Sequence, residues 1–203
     1  MNLHRLGGLL FITVWLISWH AVAQSTSPPP KQRPDSGAVE GATFRSNFFG
    51  FTYSFPKGWA VLDQESHSRL RLAAGPLYTL LIVTAKPSSG IMGPSDAAIS
   101  ILAEDVSQTS IHDGANAATK LAELLTHTEP QHTMLGPPQQ VTLGGRTFYR
   151  LDYAQQTFPT VQHYFCSVIT VANGYALRLS VIADSEAHMQ TYCGTAETLR
   201  FNK

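Results

Sequence analysis

The sequence predicts an α+β domain, a mostly antiparallel β-sheet flanked by helices in an α/β/α sandwich. Three observations carry that reading. Strand-like alternation clusters at both ends of the folded part, around residues 49–62 and 139–183. Two turn signals, Gly144-Gly145 and Asn173-Gly174, join neighbouring strands directly. Helical spacing is confined to the middle and the C-terminus, and nothing repeats as βαβ.

The first segment lies outside the fold. Residues 1–23 comprise a short head whose only firm charge is Arg5, an apolar run from Leu9 to Trp19, and Ala21-Val22-Ala23 ahead of Gln24. That order is a secretory signal peptide with an A-x-A cleavage site. The apolar run falls short of the roughly 20 residues a bilayer span needs, and no stop-transfer pattern follows, so cleavage is favoured over an uncleaved anchor. Neither Cys166 nor Cys193 lies near the cleavage site, so neither is placed to carry a lipoprotein's lipid. Residues 24–42 hold four prolines and almost no large apolar side chains, and read as a flexible leader, a spacer rather than a polyproline ligand. A single folded domain is expected over 43–203.

Phe49, Phe51, Tyr53 and Phe55 alternate with small or polar residues, giving one aromatic face on a strand. Gly50 within it reads as a weak spot or bulge in an edge strand. Pro56-Lys57-Gly58 turns the chain, and Trp59–Leu62 is a short second strand. Leu77–Ala85 is a continuous apolar run with β-branched residues, read as a strand buried on both faces. Two helices are expected next. One is capped by Ser95 and carries Ile99, Leu102 and Val106; the other runs from about Asn116 to His127, with Ala117, Leu121, Leu124 and Leu125 on one stripe.

Gln139–Leu143 and Arg146–Gln155 then flank the Gly144-Gly145 turn. A type I′ turn at Asn173-Gly174 sets Ala172 opposite Tyr175, Val168 opposite Leu179, Cys166 opposite Val181 and Tyr164 opposite Ala183. One side of this hairpin is core; the other, pairing Phe165 with Ile182 and Ile169 with Arg178, is mixed and half exposed. The last element is a helix from Ser185 or Glu186 to Leu199, with Met189, Tyr192, Cys193, Ala196 and Leu199 in a stripe that covers the core side. Cys166 and Cys193 thereby meet. In an exported chain their pairing would close a loop of about 28 residues, with two free buried thiols as the alternative.

The opening Phe49-Gly-Phe-Thr-Tyr-Ser-Phe-Pro-Lys-Gly-Trp59 resembles the N-terminal signature of the PsbP-like/Mog1-like superfamily, and the hairpin and closing helix to Phe201 resemble its C-terminal layout. The resemblance spans roughly residues 44 to 201. It implies a central, mostly antiparallel sheet sandwiched by helices, fits export, and carries no active-site residue onto this chain. The proline-rich leader and the two cysteines depart from the pattern.

Composition narrows the chemistry. Removing the signal removes Arg5, one of 14 Lys and Arg, and none of the 14 Asp and Glu, leaving a charge near minus one. Nucleic acid is therefore not expected as a partner, since a phosphate-binding surface needs a basic patch. His127 and His132 flank Glu129, but Pro130 breaks the helical register that a paired metal site would use, and H-E-x-x-H is missing. No metal or cofactor is expected. No G-x-S-x-G occurs, and Ser88-Ser89-Gly90 reads as loop. Cys166 beside His163 or His188 would be a nucleophile only if it left the core. Asp152, Asp184 and Glu186 define no glycosidase pair. Neither Gly144-Gly145 nor Gly50 builds a phosphate cradle. The aromatic set Phe49, Phe51, Tyr53, Phe55 and Trp59 reads as core before ligand groove, and Arg146, Arg150 and Arg178 as solvated strand residues before a basic patch.

No catalytic residue is assigned. The expectation is an exported, secreted or periplasmic, non-enzymatic binding or accessory protein acting through an envelope or extracellular protein partner, with no stable membrane insertion after cleavage. The alternatives are a small-molecule binder with an apolar groove and a hydrolase using His163 or His188.

Overall fold

A computed structural model describes residues 34, 37–62, 71–73, 75–85, 97–128, 131–158 and 161–202. The signal peptide, most of the leader, Ser88-Ser89-Gly90, Ser95 and Glu129-Pro130 lie outside the described residues. In order, the chain forms β1 (Ala38–Glu40), β2 (Thr43–Ser46), β3 (Phe51–Ser54), β4 (Ala60–Val61), β5 (Leu77–Thr84) and β6 (Ala98–Asp105). Helix α1 (Gly114–Thr128) precedes β7 (His132–Met134), β8 (Gln139–Leu143), β9 (Arg146–Phe158), β10 (Val161–Ala172) and β11 (Tyr175–Ala183). Helix α2 (Glu186–Cys193), a 3-10 turn (Gly194–Thr198) and β12 (Arg200–Phe201) close the chain.

The β10–β11 hairpin fixes the larger sheet. Asn173 and Gly174 have φ of 53° and 78°, the left-handed pair a type I′ turn requires. The register is the expected one, with Ala172 opposite Tyr175, Val168 opposite Leu179, Cys166 opposite Val181 and Tyr164 opposite Ala183. Gly144 and Gly145 do the same for β8 and β9, placing Leu143 opposite Arg146. The result is an eight-stranded antiparallel sheet in the order β4-β5-β6-β11-β10-β9-β7, with β8 also paired to β9. A four-stranded sheet, β1-β2-β3-β12, accompanies it.

One predicted helix is a strand. Residues 98–105 form β6, paired over its length with both β5 and β11. Ile99, Ile101 and Ala103 enter one core while Leu102 points to the opposite face, and all four are buried. A strand covered on both sides is apolar at nearly every position, so Ile99, Leu102 and Val106 match helical spacing by coincidence. Gly50 is also corrected: it lies in the turn between β2 and β3, and β3 begins only at Phe51.

Each face of the large sheet has its own core. On one, Cys166, Val168, Leu177, Leu179 and Val181 meet Met189 and Cys193 of α2 and the aromatic residues Phe44, Phe49, Phe51, Tyr53 and Phe55 of the small sheet and its flanks. On the other, Leu151, Tyr153, Ile169 and Ala176 meet Ala117, Ala118, Leu121 and Leu125 of α1. The second face is thus covered more fully than expected: Ile169 is 0% and Arg178 6% exposed, while Phe165 and Ile182 remain partly buried. The sandwich of helix, sheet and helix predicted from the sequence is present, with a second small sheet beside α2.

The closing helix starts where expected, with the Ser185 side chain accepting the His188 backbone N–H. It ends early. After Cys193 the segment Gly-Thr-Ala-Glu-Thr is poor in helix formers, tightens into the 3-10 turn, and hands Arg200 and Phe201 to β3 as a strand.

Candidate functional site

Cys166 lies on the α2-facing side of β10, and Cys193 ends α2 over it. The two are joined by a disulfide, with Cα atoms 6.1 Å apart. Closing a loop of sequence separation 27 contributes about 3–4 kcal/mol where the full entropic benefit is realised. The bond fastens the helix to the sheet at the point where their apolar stripes already meet.

Register places the polar residues around it. Asp152 on β9 stands opposite Cys166, and Arg150, two residues earlier, stands opposite Val168, so both project on the α2 side. Arg150 donates from Nε to Asp152 Oδ1 at 2.8 Å and from Nη2 to Oδ2 at 2.7 Å, a bidentate pair. Gln190 of α2 completes the group: its Nε2 donates to Asp152 Oδ2 at 3.2 Å and its Oε1 accepts from Arg150 Nη2. Both charged side chains keep a fifth or more of their surface, so water screens the pair, and its chief effect is to orient α2. A cleft of about 420 Å³ opens beside this group, bordered by Val141, Leu143, Arg150, Cys193, Glu197 and Arg200.

Asp152, Cys166 and Cys193 are the one trio of metal-ligating types gathered within 4.8 Å among the described residues. With the sulfurs bonded to each other, neither is a thiolate, and the trio is not a metal site as it stands. His127 sits exposed at the end of α1, its Nδ1 2.9 Å from the Glu123 carbonyl, whereas His132 is buried in β7 against the Tyr153 ring. Glu129, the third member of that motif, lies outside the described residues.

Cys166 is no nucleophile as it stands, because its sulfur is in the disulfide. His163 is buried in β10, and exposed His188 faces Asp184, with Nδ1 2.7 Å from Oδ1. That hydrogen bond, with the imidazole's charge, holds the Asp184 carboxyl below the usual carboxylate range.

Other candidates resolve as structure. Phe49, Phe51, Tyr53 and Phe55 are all buried, and partly buried Trp59 packs edge-on against Tyr192 at the margin of the same core. Burial pushes the Tyr53 phenol up to about 12 against the opposing hydrogen bond to Thr195, at 2.7 Å. The three arginines make no basic patch: Arg146 lies over the Phe201 ring at 4.1 Å, Arg150 is paired with Asp152, and Arg178 is buried.

One polar feature escaped the sequence reading. Glu104 is 3% exposed on the α1 side of β6, and its carboxylate accepts the N–H groups of Leu72 at 2.7 Å and Ala73 at 2.8 Å. Desolvation raises its pKa despite those bonds and the nearby Arg178 charge. Read as a strand, Ala98–Asp105 would have put Glu104 and Leu102 on one face, with Arg178 directly across from Leu102.

No family model and no curated protein matches the chain in sequence. Solved structures match its fold. The chain is similar to cyanobacterial PsbP from Synechocystis, at a TM-score of 0.53 and 12% identity, covering 82% of this chain and 96% of that one. Similarity also extends to LpqN, involved in cell envelope biogenesis of Mycobacterium tuberculosis, at a TM-score of 0.49 and 14% identity, covering 84% and 90%. The Saccharomyces cerevisiae Ran-binding protein Mog1p aligns at 0.45 and 9%, covering 79% and 85%. At these identities the likeness concerns fold alone, and it rests on the first. The chain shares the fold of cyanobacterial PsbP.

Proposed function

We propose that this is an exported, non-enzymatic binding or accessory protein that works through protein–protein contacts at its sheet edges. One observation supports this above others. Among the described residues, the large aliphatic side chains left exposed are Val39, Val61 and Leu135, at 39%, 45% and 42%. Val39 is on β1 and Val61 on β4, each outermost in its sheet among the described strands, and Leu135 directly follows β7 at the opposite edge of the larger sheet. An outer strand presents unpaired backbone groups, and proteins usually guard it with charge or proline. Aliphatic side chains there instead suit a partner strand, whose backbone supplies affinity and whose side chains supply selectivity.

Two other arrangements would have pointed elsewhere. A flat apolar face is not formed, because both faces of the large sheet are covered. The 420 Å³ cleft has charged walls rather than the apolar lining of a small-molecule groove.

The test is native capture of envelope proteins by the tagged protein and by variants carrying Val61→Lys or Leu135→Lys. The expected result is repeated recovery of one partner by the unaltered chain, lost in at least one edge variant whose melting temperature is unchanged. A small molecule retained in native mass spectra, with no partner recovered, would instead favour the small-molecule binder.

A further inference from the structure

Cys166 has no exposed surface, whereas Cys193 keeps 4% and borders the open cleft. The two ends of the disulfide are therefore unequal toward anything arriving from solvent. Arg150, already paired with Asp152, lines the same cleft together with Glu197 and Arg200. The oxygen of Asp152 lies within 4.8 Å of both sulfurs, on the inner side where β9 and β10 pair.

We propose that Cys193 is a thiol-exchange site, the sulfur through which this disulfide is installed and opened by a thiol or disulfide reagent entering the cleft. In the opening direction the incoming thiolate bonds to Cys193 Sγ, the Cys166–Cys193 bond breaks, and its electron pair departs on Cys166 Sγ, which takes a proton from solvent. A second thiol then attacks the mixed disulfide, leaving both cysteines reduced and the two external thiols oxidised to one disulfide. Installation is the reverse: an external disulfide loads Cys193, and Cys166 resolves it.

Two effects compete for the direction of attack. Leaving-group chemistry favours attack at Cys166, because the departing Cys193 thiolate would border the cleft, while a departing Cys166 thiolate would stay fully buried, with the Asp152 carboxylate near both. Access opposes it. A sulfur with no exposed surface is out of reach unless α2 lifts away, whereas Cys193 keeps 4% of its surface and borders a cleft of about 420 Å³. In the folded protein access prevails, and the same leaving-group penalty keeps exchange slow and the bond closed at rest.

The experiment uses the oxidised full chain and reduced glutathione. Under native conditions, early samples are quenched in acid, denatured, alkylated and mapped by peptide mass spectrometry. Glutathione on Cys193 with the alkyl group on Cys166 is expected, in about ten-fold excess over the reverse pattern. Equal or greater glutathione on Cys166 would overturn the proposal. So would an adduct that forms only once the protein is unfolded, because the cleft would then give no access.

Discussion

Glu104 and Arg178 place two ionisable side chains inside a face that helix α1 seals, and the sheet tolerates them because the carboxylate is held by two backbone N–H groups. Burial raises the Glu104 pKa in the folded chain, so the folded state binds its proton more tightly than the unfolded state does. The sign follows from linkage: this residue's contribution is fully present below the ordinary carboxylate pKa and is lost as pH rises through the elevated folded value. Glu104→Gln should flatten that part of the stability profile. At neutral pH its net cost should stay within about 1 kcal/mol, because the lost N–H acceptor is offset by removal of a desolvated charge. Urea unfolding across the acid to neutral range measures both effects. A variant with an unchanged pH slope would remove Glu104 from this account.

At the scale of elements, the two hairpin turns separate conformational cost from crowding. Gly144 and Gly145 both have positive φ, 55° and 79°. A Cβ on Gly145 would meet nothing within 4 Å, whereas one on Gly144 would lie 2.8 Å from the Leu199 carbonyl oxygen. Gly145→Ala should therefore cost about 1 kcal/mol and Gly144→Ala about 2–3 kcal/mol, read as the difference in denaturant midpoints. Equal losses would mean that the Leu199 backbone yields freely. These turns were legible because their chemistry is local: two residues decide φ, and the register of eighteen flanking positions in the Asn173-Gly174 hairpin follows. The disulfide was legible for a related reason, since register put Cys166 on the core side and helical spacing put Cys193 on the stripe above it. β6 was not, because its identity is set by neighbours on both flanks, and a run apolar on both faces carries no period of its own. Missing it hid Glu104. The Arg150–Asp152–Gln190 group lay beyond reach as well, since Gln190 meets β9 only through the angle at which α2 crosses the sheet.

Considered whole, the domain has two cores on one sheet, a disulfide across the α2 side and aliphatic side chains at its outer strands. Among the described residues no helix is long and apolar enough to cross a membrane. An oxidising address, as proposed above, would unite the disulfide with the signal-like pattern read in residues 1–23. We propose an exported domain closed by the Cys166–Cys193 disulfide. Intact mass of the protein recovered from the exported fraction, alkylated with and without prior reduction, tests it most directly. The account predicts a chain beginning at Gln24 that takes up no alkyl group until reduced and two afterwards. A chain still carrying residues 1–23, or one alkylated at both cysteines without reduction, would contradict it.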